Sequence, residues 1–501
     1  MKAAWGSLPK DLTIRDTMYL AWLLDENEDE LNLRYLAHKH CGITLKGFAA
    51  YSTQANLFAK VENIEEKCKQ DVIATLALYK TLRARLTSDP ALVKVYENLH
   101  SVMVKIIIEM ESEGCLIHQL PLAKQTAEWY NLAKAAEKSA AESGYPHKLS
   151  RPIPLSRYLF EEKGLKPKPF MLRQPDKWRM KKFPLWKVPY DVLLEYKADD
   201  PLVPTVLNYR DNYKLARTYG STWLNSTDGD GRIHTHFWLT GTDSGRLSSS
   251  DPINLQNVPA VMRQFIIAPP GRVFVYADYS QLELRLMAHA SQDPELLRAY
   301  RENQDIHNMT QEAFGLAKDR RVVAKMANFG LIYGIGPHRF QRQIITGSEG
   351  AVRPTIDECK RWSERFFAKY RLVRPYHDRV SRGLCERGYV ETLLRRKRRL
   401  CVEYRRDPDK ALRIGINATI QGSGADLIDL GMLAIWNRKA PSTKFLMQVH
   451  DSVVLECDEA LVDQEATMVR ECLEQAAKLT VPLVAKTGIG ATLDEAEKAA
   501  N

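Results

Sequence analysis

Two apolar, β-branched runs far apart in the chain each end on an aspartate: FVYADYSQLELR around Asp278 and FLMQVHDSVVLE around Asp451. Such runs read as strands, and where a strand stops its last side chain becomes accessible. Laid side by side, two strand ends of this kind let their carboxylates hold a pair of Mg²⁺ ions about 3.5–4 Å apart, the arrangement for in-line phosphoryl transfer. Two aspartates alone prove nothing, because most aspartates are solvated surface groups. The segment between them carries the argument further.

That segment, DRRVVAKMANFGLIYG at 319–334, reads as a helix with Arg321, Lys325, Phe329 and Tyr333 four residues apart. At ~3.6 residues per turn each step of four rotates only ~40°, so the four make one slowly winding stripe ~18 Å long. Two cations suit a triphosphate and two aromatics suit a base or sugar. An amphipathic helix with a solvated basic end and a buried aromatic end explains the same spacing when the helix is taken alone.

At 501 residues with a net charge of +10, the chain is long enough for two or more cores and suits a polyanionic partner. Its eight cysteines form no CxxC pair and no paired Cys/His spacing, which supports neither a zinc site nor a disulfide framework. No run of ~20 apolar residues is present to span a bilayer. The opening MKAAWGSLPKDL lacks the apolar core of a signal peptide, so a cytoplasmic protein is expected.

These segments resemble the motifs of the family A DNA polymerases, the group typified by bacterial DNA polymerase I. DYSQLELR resembles the first polymerase motif, RxxxKxxNFGLIYG the second, and VHD within QVHDSVVLE the third. TGTDSGRLSSSDPINLQNVP (240–259), DIHNMTQEAFG (305–315) and RIGINATIQGSGADL (413–427) are similar to further family segments in the same order. The resemblance runs from about residue 96 to the end.

The resemblance implies an α+β multidomain right-hand polymerase, with an antiparallel-sheet palm (about 96–124, 236–300 and 428–501), a helical thumb (about 125–235) and helical fingers (about 301–427). Residues 1–95 are similar to the last part of a 3′→5′ exonuclease domain and form a mostly helical remnant. Only one of that domain's acidic motifs is suggested, at Asp71, and Lys67 stands where a tyrosine is expected. No proofreading is therefore expected from this chain alone. Within the thumb, KGLKPKPFMLRQPDKWRMKKFPLWKVP (163–189) reads as an extended basic segment, and Tyr209, Arg210, Lys214 and Arg217 are candidates to lean on a duplex backbone.

Carried over residue by residue, the resemblance implies that Asp278 and Asp451, with the carbonyl of Tyr279, hold two Mg²⁺ ions, Mn²⁺ being a substitute. Arg321 and Lys325 would grip the triphosphate, Lys325 protonating the departing pyrophosphate, and His307 would contact the same phosphates. Glu283 matches the steric gate that excludes a ribose 2′-hydroxyl, Tyr333 the ring closing that pocket, and Phe329 the ring against the incoming sugar. A phenylalanine there implies poor use of dideoxynucleotides. Gln281 belongs to the nucleotide pocket and, with Arg246, Asn257, Arg413, Asn417, Gln421 and His450, to the set that meets primer–template DNA. The acceptors on the minor-groove edge are shared by every base pair, so donors there test pair shape without reading sequence.

Two departures stand out. Ser452 follows Asp451 where the family usually has glutamate, which puts metal preference and fidelity in doubt, and the ending GIGATLDEAEKAAN lacks the family's usual Trp and His. The run LLRRKRRL (393–400) reads as a phosphate-contacting or solvated loop. Implied partners are primer–template DNA, dNTPs, and a processivity factor or separate exonuclease subunit, around a monomer. The size resembles that of a phage-type enzyme, which would work in its bacterial host's cytoplasm. A single-subunit RNA polymerase shares the two aspartates and the Arg/Lys/Tyr helix, but Glu283 and QGSGADL argue against it. A non-catalytic DNA-binding accessory is the third reading.

Overall fold

The computed structural model describes residues 12–45, 57–167 and 186–500 (backbone only over 57–63). Most of the basic segment expected at 163–189 lies outside the described residues. The chain is α+β, with helices predominating over small antiparallel sheets, and it divides into two compact units.

The first unit comprises Met1–Cys115, His234–Asn303 and Tyr370–Asn501. At its centre is a four-stranded antiparallel sheet of β1 (Arg272–Tyr279), β2 (Lys444–Val449), β3 (Ser452–Asp458) and β4 (Ala485–Gly490), in the order β4-β1-β3-β2. Phe274, Val275, Ala277, Phe445, Val453 and Leu455 are buried, as β-branched and aromatic residues in central strands should be. The register sets Asp278 opposite Ser452 on one side and Lys486 on the other. Helices Val462–Glu474 and Leu493–Ala500 pack on the sheet. A Cβ on Gly488 would sit 2.0 Å from the Ala496 carbonyl oxygen, so the last helix lies directly on β4 only because that strand is glycine there.

Helix Pro408–Arg438 packs against Val462–Glu474 and against Val373–Arg387 within this first unit. The expected 301–427 segment consequently contributes to both units. Helices Thr17–Leu24, Leu33–Cys41 and Leu57–Leu86 make the described part of the N-terminal region mostly helical, as expected. Asp16 caps the first of these, accepting from the Met18 amide at 2.8 Å.

The second unit comprises Leu116–Ile233 and Gln304–Lys369. Helices Gln119–Glu142 and Leu202–Lys214 pack together, and Tyr145, Leu155, Leu193, Val203 and Tyr209 belong to one buried cluster. Helices Ile306–Phe314, Arg321–Leu331, Pro337–Gly347 and Ile356–Lys369 form the other part. Pro337 opens its helix at the position where a missing amide hydrogen costs nothing.

Candidate active site

Strand β1 and the β2–β3 hairpin bring the two aspartates together. The Tyr279 amide, one residue beyond Asp278, donates to the Asp451 carbonyl at 3.2 Å. His450 and Asp451 form the two-residue turn between β2 and β3, and His450 has φ of 56°. Gln281, in the turn after β1, is likewise left-handed at φ 55°. Both turns that present the carboxylates therefore hold a non-glycine residue in a sparsely populated conformation, of the kind that persists where surrounding contacts over-determine it. Those contacts are visible. The Ser280 amide donates to the Val484 carbonyl at 2.8 Å, Tyr300 Oη donates to Gln281 Oε1 at 3.0 Å, and Arg285 reaches the carbonyls of Ser280 (2.8 Å) and Pro482 (2.7 Å).

Burial and the neighbouring Asp451 push Asp278 up to about 7, with Glu497 adding to the rise and Lys486 opposing it. Burial also raises Asp451, against a lowering pull from Arg246. Two half-buried carboxylates in this state are an incomplete electrostatic set that a cation would complete. Among the described residues no group of three or more His, Cys, Asp or Glu side chains is arranged to hold a metal. A donor set of two carboxylates fits Mg²⁺, which keeps several waters and shares its remaining positions with substrate phosphates. Ser452 is buried, and its hydroxyl donates to the Val449 carbonyl at 2.9 Å and hydrogen-bonds Tyr276.

Glu283 sits in the first turn of helix Leu282–Ser291, and Arg246 Nη2 donates to its Oε1 at 2.7 Å. Sequence reasoning named both residues and missed their pairing, since they approach only through the fold. Arg413, Asn417 and Gln421 share one face of helix Pro408–Arg438, with Asn417 Nδ2 donating to Gln421 Oε1 at 3.2 Å. Arg413, Asn257 and His450 are exposed.

In the second unit, helix Arg321–Leu331 carries Arg321, Lys325 and Phe329, and Tyr333 lies in the turn just beyond it. Arg321 and Lys325 are exposed, whereas Phe329 and Tyr333 are half-buried. Asp305 orders this region twice. One oxygen caps helix Ile306–Phe314 through the His307 amide (2.8 Å), and the other accepts from Arg321 Nη2 (2.6 Å). His307 is buried, its Nδ1 accepting from Asn328 Nδ2 at 2.8 Å and its ring centred 5.7 Å from that of Phe329. Burial, with Arg321 and Lys325 nearby, pushes it down to about 4, so it stays neutral at physiological pH.

The basic run at 395–399 is tied into the fold by ion pairs. It forms one strand and the turn of the hairpin Tyr389–Glu391/Lys397–Arg399, and each of its five cations meets a carboxylate. Arg395 pairs with Glu391 (3.2 Å), Arg396 with Asp426 (2.6 Å), Lys397 with Asp89 (2.6 Å), Arg398 with Asp243 (2.8 Å) and Arg399 with Glu26 (2.6 Å). Apart from Glu391, four residues before Arg395, the partners lie too far away in sequence for any local pattern to reveal them. Two of these contacts, Lys397–Asp89 and Arg399–Glu26, tie the N-terminal region to the hairpin, and Arg398 adds a third by reaching Asn27 at 2.6 Å. Asp71 is held by an ion pair with Lys67 on helix Leu57–Leu86. Of the four thumb candidates, Tyr209 is buried and Arg210 donates to the Val188 carbonyl at 2.6 Å, which leaves Lys214 and Arg217 exposed.

Comparison with known proteins follows the same segments. The sequence profile of DNA polymerase family A matches residues 121–495. DNA polymerase I of Pseudomonas aeruginosa is 33% identical over 96% of this chain and 54% of its own length. The thermostable DNA polymerase I of Thermus aquaticus is 32% identical over 82% of this chain and 50% of its own length. The chain thus spans about half the length of the curated relatives it matches. Among solved structures, the POL domain of Pol1 from M. smegmatis, in complex with DNA primer-template and dNTP, is similar with a TM-score of 0.82 and 27% identity. That match covers 96% of this chain and 82% of the other.

Proposed function

The chain belongs to DNA polymerase family A, and on that footing we propose that it is a template-directed DNA polymerase that joins deoxynucleotides to a primer 3′-hydroxyl and releases pyrophosphate. The observation that carries this reading is the Tyr279–Asp451 hydrogen bond, which sets two carboxylates with raised pKa at adjoining strand ends. The four-stranded sheet takes the part of the palm, residues of about 125–235 that of the thumb and about 301–427 that of the fingers.

Asp278, Asp451 and the Tyr279 carbonyl would hold two Mg²⁺ ions, with Mn²⁺ as a substitute. Bound there, the ions supply charge neutralisation at the attacking and leaving oxygens. The chain's own residues do the positioning. Arg321 and Lys325 grip the triphosphate, and Lys325 gives a proton to the leaving pyrophosphate. His307, neutral and buried, braces Phe329 under the incoming sugar, with its remaining ring nitrogen left for the phosphates. Glu283, held in place by Arg246, blocks a ribose 2′-hydroxyl, and Tyr333 closes the pocket. Gln281, Asn257, Arg413, Asn417, Gln421 and His450 offer polar groups to the primer–template.

The reaction serves DNA replication in the cytoplasm, with the enzyme acting as a monomer and a processivity factor or separate exonuclease subunit as candidate partner. Among the described residues no helix is long and apolar enough to cross a membrane. Asp71, the acidic candidate of the exonuclease-like region, is paired with Lys67. The test is extension of a 5′-labelled primer on a longer template with Mg²⁺ and either dNTPs or rNTPs. Template-length products from dNTPs alone support the reading. Salt-sensitive duplex binding without extension would replace it with that of a DNA-binding accessory, and extension from rNTPs with that of an RNA polymerase.

A further inference from the structure

Within the second unit, the short helix Tyr190–Glu195 bridges two parts that the sequence keeps over a hundred residues apart. On one side it is bound to helix Leu202–Lys214. Tyr190 Oη donates to Asp211 Oδ2 at 3.2 Å, and Arg210 Nη1 donates to the Val188 carbonyl at 2.6 Å. On the other side it meets helix Pro337–Gly347 and the loop after it. Asp191 forms an ion pair with Arg342. Arg353 spreads its guanidinium over the Glu195 carbonyl (2.8 Å), the Leu194 carbonyl (2.9 Å) and the Gly350 carbonyl (3.2 Å). Leu194 and Glu195 end their helix, and Arg353 donates to both of their carbonyls there.

The chain of contacts continues past these residues. Helix Pro337–Gly347 packs on helix Arg321–Leu331, which carries the two cations assigned to the triphosphate. Helix Leu202–Lys214, with its helical continuation Leu215–Ser221, carries the exposed Lys214 and Arg217. The bridge joins the two surfaces of this unit that bear cations assigned to nucleotide and to duplex. Its bonds are also openable. The side chains of Asp191 and Arg342 remain 32% and 38% exposed, so water can replace their ion pair at little cost.

We propose that residues 186–195 are a latch that makes these two surfaces one body, so that a nucleotide held by Arg321 and Lys325 slows the release of duplex held by Lys214 and Arg217. The inference rests on the polymerase reading given above. Asp191, Arg342 and Arg353 are positioning residues within it and touch no reacting atom.

The test uses the full chain and a primer–template whose primer is dideoxy-terminated, so that nothing is incorporated. Dissociation of labelled duplex into an excess of unlabelled duplex is followed by stopped-flow fluorescence, with and without the next templated dNTP. Spin labels carried by unnatural residues at Asn208 and His338 report the latch distance independently. In the wild type the dNTP slows dissociation by roughly tenfold, within the usual span of coupling between sites, and the distance distribution is single and narrow. Asp191→Arg and Arg342→Asp each broaden the distribution and reduce the dNTP effect to about twofold or less. The double reversal restores both by re-forming the pair with opposite polarity. Arg353→Ala, checked for folding by circular dichroism, behaves like the single reversals.

A broad distribution in the wild type would overturn the latch. A broadened distribution with an undiminished dNTP effect would overturn the coupling. Failure of the wild type to bind primer–template at all would overturn the polymerase reading and the coupling with it, while the distance measurement would still decide whether the latch closes.

Discussion

The backbone amide of Tyr279 donates to the backbone carbonyl of Asp451 at 3.2 Å, joining two strand ends that stand 172 residues apart in the sequence. Because the link is made by main chain, it fixes where Asp278 and Asp451 stand whatever their side chains carry. Preorganisation of this kind is what charge-neutralising catalysis requires.

The first consequence concerns pH. Asp278 is held up at about 7 by burial and by Asp451, well above its ordinary value of 3.8. A carboxyl whose folded pKa is raised keeps a proton that the unfolded chain has lost, so its ionisation opposes folding. That penalty is absent below about 4, grows between the two values and is complete above about 7. In EDTA, the Tm of the wild type should fall as pH rises through this window. Asp278→Asn should remove part of the fall, and Mg²⁺ should reduce it in the wild type but not in the variant. Calorimetry across pH 4 to 8 checks both.

The Arg246–Glu283 pair gives a second expectation. Glu283→Ala should raise incorporation of ribonucleotides relative to deoxynucleotides by on the order of 10²-fold, since a blocking group against one hydroxyl is removed. Arg246→Ala should shift the ratio in the same direction but less, because the gate remains and only its anchor is lost. Single-nucleotide incorporation with matched dNTP and rNTP measures the ratio.

Lys325 is exposed on its helix, whereas Arg321 is already engaged by Asp305. Lys325→Ala should lower the rate of the chemical step by roughly 10²–10⁴-fold, the usual contribution of a positioned acid. Arg321→Ala should act mainly on dNTP affinity. Rapid-quench kinetics at several dNTP concentrations separates the two effects.

The paired cations of the 395–399 run lead to a stability prediction. The side chains of Arg396 and Asp426 are 7% and 1% exposed, so Arg396→Met leaves a buried carboxylate without its partner and should cost about 3–5 kcal/mol. Combining it with Asp426→Leu should recover much of that loss. Arg395→Ala, at an exposed pair, should cost at most about 1 kcal/mol. Neither Arg396→Met nor the double variant should change the salt dependence of DNA binding, because the cation removed is buried. Urea denaturation and a salt titration of duplex affinity decide the matter.

These cases also mark what the sequence makes legible. Strands β1, β2 and β3 declare themselves through dense β-branched and aromatic runs, and the four-residue spacing from Arg321 declares one helix face. Strand β4, AKTGIG, has neither signal. It is a strand because its glycines admit the helix that covers it, a condition that only the assembled sheet reveals. The basic run is the sharper lesson. Read locally, five cations suggest an anion outside the protein, yet their anions are Glu26, Asp89, Asp243, Glu391 and Asp426, four of which no short window contains. The Arg246–Glu283 pair and the Asp191–Arg342 bridge are hidden for the same reason. Periodicity reports which face of an element is buried, and it is silent on which distant charge will meet it.

The most direct measurement is single-turnover incorporation of one templated nucleotide by the wild type, Asp278→Asn and Asp451→Asn, with duplex affinity measured in parallel. The account predicts incorporation directed by the template base in the wild type. It predicts a loss of at least roughly 10³-fold in each variant, with duplex affinity retained, since removing transition-state charge stabilisation costs this much or more. Comparable rates in either variant, or a wild type that binds duplex and incorporates nothing, would contradict the claim that these two carboxylates form a polymerase active site.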